Sequence, residues 1–109
     1  MDTAHTFQLL TKLIMQQAQE KGWGTKPEEI SISEKIALIH SEVSEAYEAY
    51  RHQKNDHFAE ELGDIIFRTL HLAGCLSINV EKEIVQKLEK NQVREWKSRN
   101  EKNSKIKQM

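Results

Sequence analysis

The sequence predicts an all-α protein, a four-helix, bundle-like single domain. Three observations carry that expectation. Apolar residues recur at spacings of three and four through four successive segments. The 109 residues hold one Pro and four Gly, too few turn formers for a fold of many short strands. Capping and breaking residues stand between the periodic segments, where helices would start and stop.

The first helix is expected from about Thr3 to Glu20, with Phe7, Leu10, Leu13, Ile14 and Ala18 at helical spacing and Gly22 ending it. Gly22 to Pro27 reads as a loop, punctuated by two glycines and a proline. Ser31 and Glu34 have the spacing of a capping box and open the second helix. Its main apolar face comprises Ile36, Ile39, Val43, Ala46, Tyr47 and Tyr50. A polar stretch from Arg51 to His57 leads to the third helix, capped by Asn55 or Asp56. Phe58, Leu62, Ile65, Ile66, Thr69, Leu72, Ala73 and Leu76 form its inward stripe. Gly74 with Ser77, Ile78 and Asn79 marks a short turn. Asn79 then caps a fourth helix that begins near Val80 and carries Ile84, Leu88 and Val93 or Trp96. The domain is expected to span residues 1–97. Residues 98–109 are polar and basic without convincing periodicity, so a flexible tail is expected there.

A net charge of −1 gives no global attraction to nucleic acid or to an anionic membrane surface. The single Cys75 has no internal disulfide partner, which suits a reducing compartment. No charged-then-apolar leader and no apolar run of spanning length is visible, so a soluble, cytoplasmic protein is expected.

Two acidic motifs, Glu42-x-x-Glu45 and Glu61-x-x-Asp64, mirror each other about Gln53. In an antiparallel hairpin turning there, Glu42 meets Asp64 at one level and Glu45 meets Glu61 at the next. Abundance alone is uninformative: random placement of the 17 acids gives roughly three pairs spaced three apart, as many as the chain contains. Position is informative. Glu42 and Glu45 share a strip with Leu38 and Ala49 beside the apolar face, and Glu61, Asp64 and Arg68 form a comparable strip on the third helix. Four carboxylates converging across a helix pair repel unless a cation lies between them. An oxygen-only donor set suits Mg²⁺ or Mn²⁺. The competing account makes them ordinary boundary acids paired with Arg68, Arg51 or lysines. A di-iron carboxylate bundle is disfavoured, because no Glu has a His three residues later.

The fourth helix offers a complement. Lys87, Asn91 and Arg94 fall on one stripe, where two cations and an amide can grip phosphate oxygens or simply face solvent.

Taken in order, Glu42-x-x-Glu45, Glu60-Glu61-Leu62-Gly63-Asp64-Ile65-Ile66-Phe67 and Lys87-x-x-x-Asn91-x-x-Arg94 resemble the MazG-like nucleoside triphosphate pyrophosphohydrolases of the all-α NTP pyrophosphatase superfamily. The resemblance covers roughly Ser33 to Trp96. It implies a helical bundle assembled as a homodimer or homotetramer, with sites near subunit interfaces. It further implies that Glu42, Glu45, Glu61 and Asp64 hold Mg²⁺ while Lys87, Asn91 and Arg94 reach the triphosphate. The implied reaction converts a nucleoside triphosphate and water to the monophosphate and pyrophosphate, with Glu45, or else Glu42, as general base. Phosphoribosyl-ATP pyrophosphatase, a relative within the superfamily, matches the third-helix wording less well, and a catalytically silent helical scaffold is the alternative from another class. Arg68 is expected either to touch a phosphate or to pair with Asp64. Trp23 is expected either to stack on a nucleobase or to form a hydrophobic lid over the bundle end. His40, Tyr47 and Tyr50 read as packing residues.

Overall fold

The computed structural model describes residues 6–94. The expected tail and Trp96 lie outside the described residues. Four α-helices follow one another: α1 (Thr6–Lys21), α2 (Ile32–Arg51), α3 (Asn55–Cys75) and α4 (Val80–Val93), with a short 3-10 turn at Pro27–Glu29. No strand occurs among the described residues.

The helix ends follow from local chemistry. Three of them close in the same way, with one residue in the left-handed region and the next amide reaching back to a carbonyl five residues earlier. Gly22 has φ 74°, and Trp23 N–H donates to Ala18 at 3.0 Å. Gln53 has φ 58°, and Lys54 N–H donates to Ala49 at 2.9 Å. Ser77 has φ 58°, and Ile78 N–H donates to Ala73 at 2.9 Å. Each of these bonds satisfies a carbonyl that the helix end would otherwise leave open. At the opposite ends, Ser31 Oγ accepts the Glu34 N–H at 3.2 Å and Asn79 Oδ1 accepts the Lys82 N–H at 3.0 Å.

Two sequence expectations about these ends are corrected. The N-cap of α3 is Lys54, which makes no side-chain capping bond, and Asn55 already belongs to the helix. Gly74 lies within α3 and is not a turn former: a Cβ there would sit 2.4 Å from Met15 Sδ. The missing side chain lets α1 and α3 approach closely.

α2 and α3 form the antiparallel hairpin that carries the acidic motifs, α1 packs against α3, and α4 lies along α1. The Phe7 N–H donates to Glu81 Oε1 at 3.3 Å across that last contact. The core is small: Ile14, Ala18, Ala46, Ala49, Leu70, Ala73 and Cys75 are its buried apolar members.

The expected apolar face of α2 is buried only at Ala46. Ile36, Val43, Tyr47 and Tyr50 stay about half exposed or more, while Ala46 and Ala49 are buried. Small residues of α2 are thus buried while its bulky ones stay largely exposed, although Tyr50 still reaches Phe58 of α3, with ring centroids 6.2 Å apart. Leu62 and Ile66 of α3 are likewise exposed, and α4 has no buried residue. His40, expected as a core residue, is exposed.

Candidate metal centre

Glu42 and Glu45 stand one turn apart on α2, and Glu61 approaches them from α3. Carboxylate oxygens of these three residues lie within 4.8 Å of one another. Glu42 and Glu61 are deeply placed, with side-chain exposures of 12% and 5%, whereas Glu45 faces solvent. Asp64 is half-buried and outside this cluster of three, yet near enough to act on Glu61 as a like charge. The expected pairing of Glu42 with Asp64 therefore gives way to contacts of Glu42 with Glu61 and Arg68.

Arg68 donates through Nε to Glu42 Oε1 at 3.2 Å. The ion-pair partner of Arg68 is thus Glu42 on the facing helix, not Asp64 on its own. On the other carboxylate, His57 Nε2 lies 3.3 Å from Glu61 Oε1, one turn away along α3. Each buried acid is thereby held by one oxygen. With both carboxyl groups ionised, the second oxygen of each, Glu42 Oε2 and Glu61 Oε2, is buried without a hydrogen-bond donor. A buried carboxylate oxygen left without a donor is costly, and such an atom calls for a cation or a proton.

Proton affinities reflect the crowding. The Glu61 carboxyl is pushed up to about 7, first by its hydrogen bond with Glu42, then by burial and the negative charges of Glu42, Glu45 and Asp64. Glu42 is held below the usual carboxylate range, first by the hydrogen bond from Glu61 and further by the charge and bond of Arg68, against burial. In the metal-free state a proton on Glu61 satisfies what a divalent ion would satisfy better. All donors here are oxygens, so the set fits a hard cation such as Mg²⁺ or Mn²⁺.

A groove of about 310 Å³, lined by Ser41, Ser44, Glu45, His52, Lys54 and His57 among others, shares Glu45 with the cluster. Trp23 packs edge-on against Phe67 and His71, with ring centroids 6.1 and 6.3 Å apart. It remains 41% exposed, so part of the indole stays open to a ligand. Lys87 and Asn91 are exposed on α4, whereas Arg94, expected on the same helical stripe, is its exposed C-cap in extended conformation, and among the described residues none of the three bonds to a carboxylate of the cluster.

Two features escaped the sequence. His71 Nε2 lies 2.8 Å from Gly24 O, and the Cys75 thiol meets the same carbonyl at 3.5 Å, so α3 clasps the loop that carries Trp23. His57 and Glu61 are four residues apart on a helix, a spacing that does signal contact.

A family model described as the MazG nucleotide pyrophosphohydrolase domain matches residues 31–97, more than half of the chain. The match starts at the N-cap of α2 and spans both acidic motifs and α4. No curated protein and no solved structure matches the chain.

Proposed function

The chain belongs to the MazG nucleotide pyrophosphohydrolase family, and we propose that it is a Mg²⁺-dependent nucleoside triphosphate pyrophosphohydrolase, releasing pyrophosphate and a nucleoside monophosphate. One observation carries this reading. Within the matched segment, three carboxylates converge and, when ionised, two of their oxygens are buried with no hydrogen-bond donor. Unused like charges placed so would only lower stability.

Glu42, Glu45, Glu61 and Asp64 are assigned to hold the metal, with Mn²⁺ as a substitute for Mg²⁺. When bound, the ion would neutralise the triphosphate and make the attacking water more acidic. Glu45 is the solvent-facing member and is assigned to take the proton from that water, with Glu42 as the other candidate base. The low proton affinity of Glu42 keeps it anionic and suits it better to holding the ion. Arg68 uses only Nε on Glu42, which leaves its terminal nitrogens for a phosphate oxygen. Trp23 offers its open ring surface to a base, as either canonical or modified nucleotides would require.

Lys87, Asn91 and Arg94 are assigned to the triphosphate. That none of them bonds to the carboxylates among the described residues supports delivery from a second copy, in a homodimer or homotetramer. The half-exposed Ile36, Val43, Tyr47 and Tyr50 supply the apolar surface that such an assembly would cover. Among the described residues no helix is long and apolar enough to cross a membrane.

The test is release of pyrophosphate from a panel of canonical and modified (deoxy)nucleoside triphosphates, with Mg²⁺ and with chelator. Metal-dependent release by the native protein, lost in Asp64→Asn, supports the reading. Release of orthophosphate in place of pyrophosphate, or no turnover of any nucleotide, refutes it.

A further inference from the structure

The two buried carboxylates share a pattern of support. Arg68 Nε donates to Glu42 Oε1 at 3.2 Å, and His57 Nε2 lies 3.3 Å from Glu61 Oε1, within ion-pair distance. With both groups ionised, the remaining oxygens are buried and have no donor. Arg68 reaches Glu42 across the helix interface, whereas His57 reaches Glu61 from one turn earlier on the same helix. The other ring nitrogen, Nδ1, is 3.8 Å from Glu60 Oε2, too far for a hydrogen bond. The imidazole thus lies closer to Glu61 than to Glu60.

We propose that His57 is a positioning residue of the metal centre, its Nε2–H holding Glu61 Oε1 so that Oε2 faces the shared ion. This rests on the metal-binding reading given above. The terminal torsion of a glutamate is broad, so an unsupported carboxyl group samples many planes. A single donor on one oxygen fixes the plane and leaves the other oxygen free to ligate. Outer partners of this kind orient the ligands of metal sites and raise affinity without touching the metal. Glu61 has the most to gain, because burial to 5% exposure removes the water that would otherwise solvate Oε1. His57 itself is half-exposed and packs in no core, so its replacement changes the carboxylate before it changes the fold.

Three substitutions separate donor from bulk. His57→Phe keeps the ring shape and removes the donor. His57→Asn removes reach, since its amide is too short to bridge one helical turn to Glu61. His57→Gln restores an N–H near the position of Nε2. The measurement is calorimetric titration of Mn²⁺ into each metal-free protein without nucleotide, beside the melting temperature in chelator. The expected result is a roughly 10-fold weaker affinity in His57→Phe and His57→Asn, as loss of an outer-shell partner typically produces. His57→Gln should recover most of that loss, and all three should melt near the native protein in chelator. Native affinity in His57→Phe and His57→Asn would overturn the proposal, as would a Gln variant no tighter than Phe. A native protein that binds no Mn²⁺ would remove the metal centre itself and this inference with it, whereas normal native binding with indifferent variants removes only the role of His57.

Discussion

Glu42 and Glu61 face each other across the α2/α3 hairpin with opposed proton affinities, one held low and the other raised to about 7. The opposition follows from what each oxygen meets. Glu42 has a guanidinium at 3.2 Å, while Glu61 has three other carboxylates around it. A pair arranged so keeps one charge and gives up the other until a cation arrives.

That arrangement sets the pH response of the metal-free protein. Glu61 rises from an ordinary value of 4.5 to about 7 on folding, so the folded state binds more protons between those values. Its contribution to stability is complete below pH 4.5 and is lost as pH climbs through about 7. Glu42 has the opposite sign, and its contribution is lost only as pH falls below the ordinary range. Chemical denaturation in chelator should therefore show the native protein losing stability from pH 5.5 to 8 relative to Glu61→Gln. Equal slopes for the two proteins would contradict the assignment of that proton to Glu61.

Metal uptake should follow the same proton. Below pH 7, Mg²⁺ must displace it, so binding should release protons and tighten as pH rises. Calorimetry at pH 6 in buffers of different ionisation enthalpy measures this release directly. The same comparison at pH 8 should show almost none.

Arg68 balances Glu42 only while no other cation does. Arg68→Met should destabilise the metal-free protein by about 1 kcal/mol, a figure kept small because the arginine is partly exposed. Saturating Mg²⁺ should narrow the gap between variant and native protein, as the ion takes over part of the charge balance. Melting curves with and without Mg²⁺ decide this; a gap unchanged by the ion would mean that Arg68 and the metal act on different groups.

The hairpin turn offers an independent test of the backbone. Gln53 occupies the left-handed region at φ 58°, where a side chain is disfavoured and glycine is not. Gln53→Gly should therefore stabilise the protein by roughly 0.5–1 kcal/mol in urea denaturation. A loss of stability would mean that the Gln53 side chain supports the turn in some other way.

Much of this organisation is legible in the residues. The centre of the hairpin at Gln53 follows from the mirrored acids, and the caps Ser31 and Asn79 follow from local hydrogen bonding that needs no tertiary partner. What was not legible depends on which faces meet. Periodicity puts Ile36, Val43, Ala46 and Tyr47 on one face of α2, yet of these only Ala46 is buried, joined by Ala49 from the strip of the acids. Gly74 resembles a turn former until Met15 is seen against it. The long Arg68 side chain reaches across the hairpin to Glu42, a contact that spacing along one helix does not reveal. The contact of His57 with Glu61 was missed although its four-residue spacing signals it, whereas the clasp of His71 on Gly24 joins residues far apart in the chain.

The most direct measurement of the central claim is the melting temperature of native protein, Glu42→Gln and Glu61→Gln at pH 8, in chelator and in millimolar Mg²⁺. Binding to the folded state alone at 100 times Kd contributes about 2.7 kcal/mol, enough to raise the native transition by several degrees. The account predicts that rise in the native protein, its loss in both variants, and no unfolding of either variant in chelator. A native protein indifferent to Mg²⁺, or variants that collapse without it, would show that these carboxylates serve the fold and not an ion.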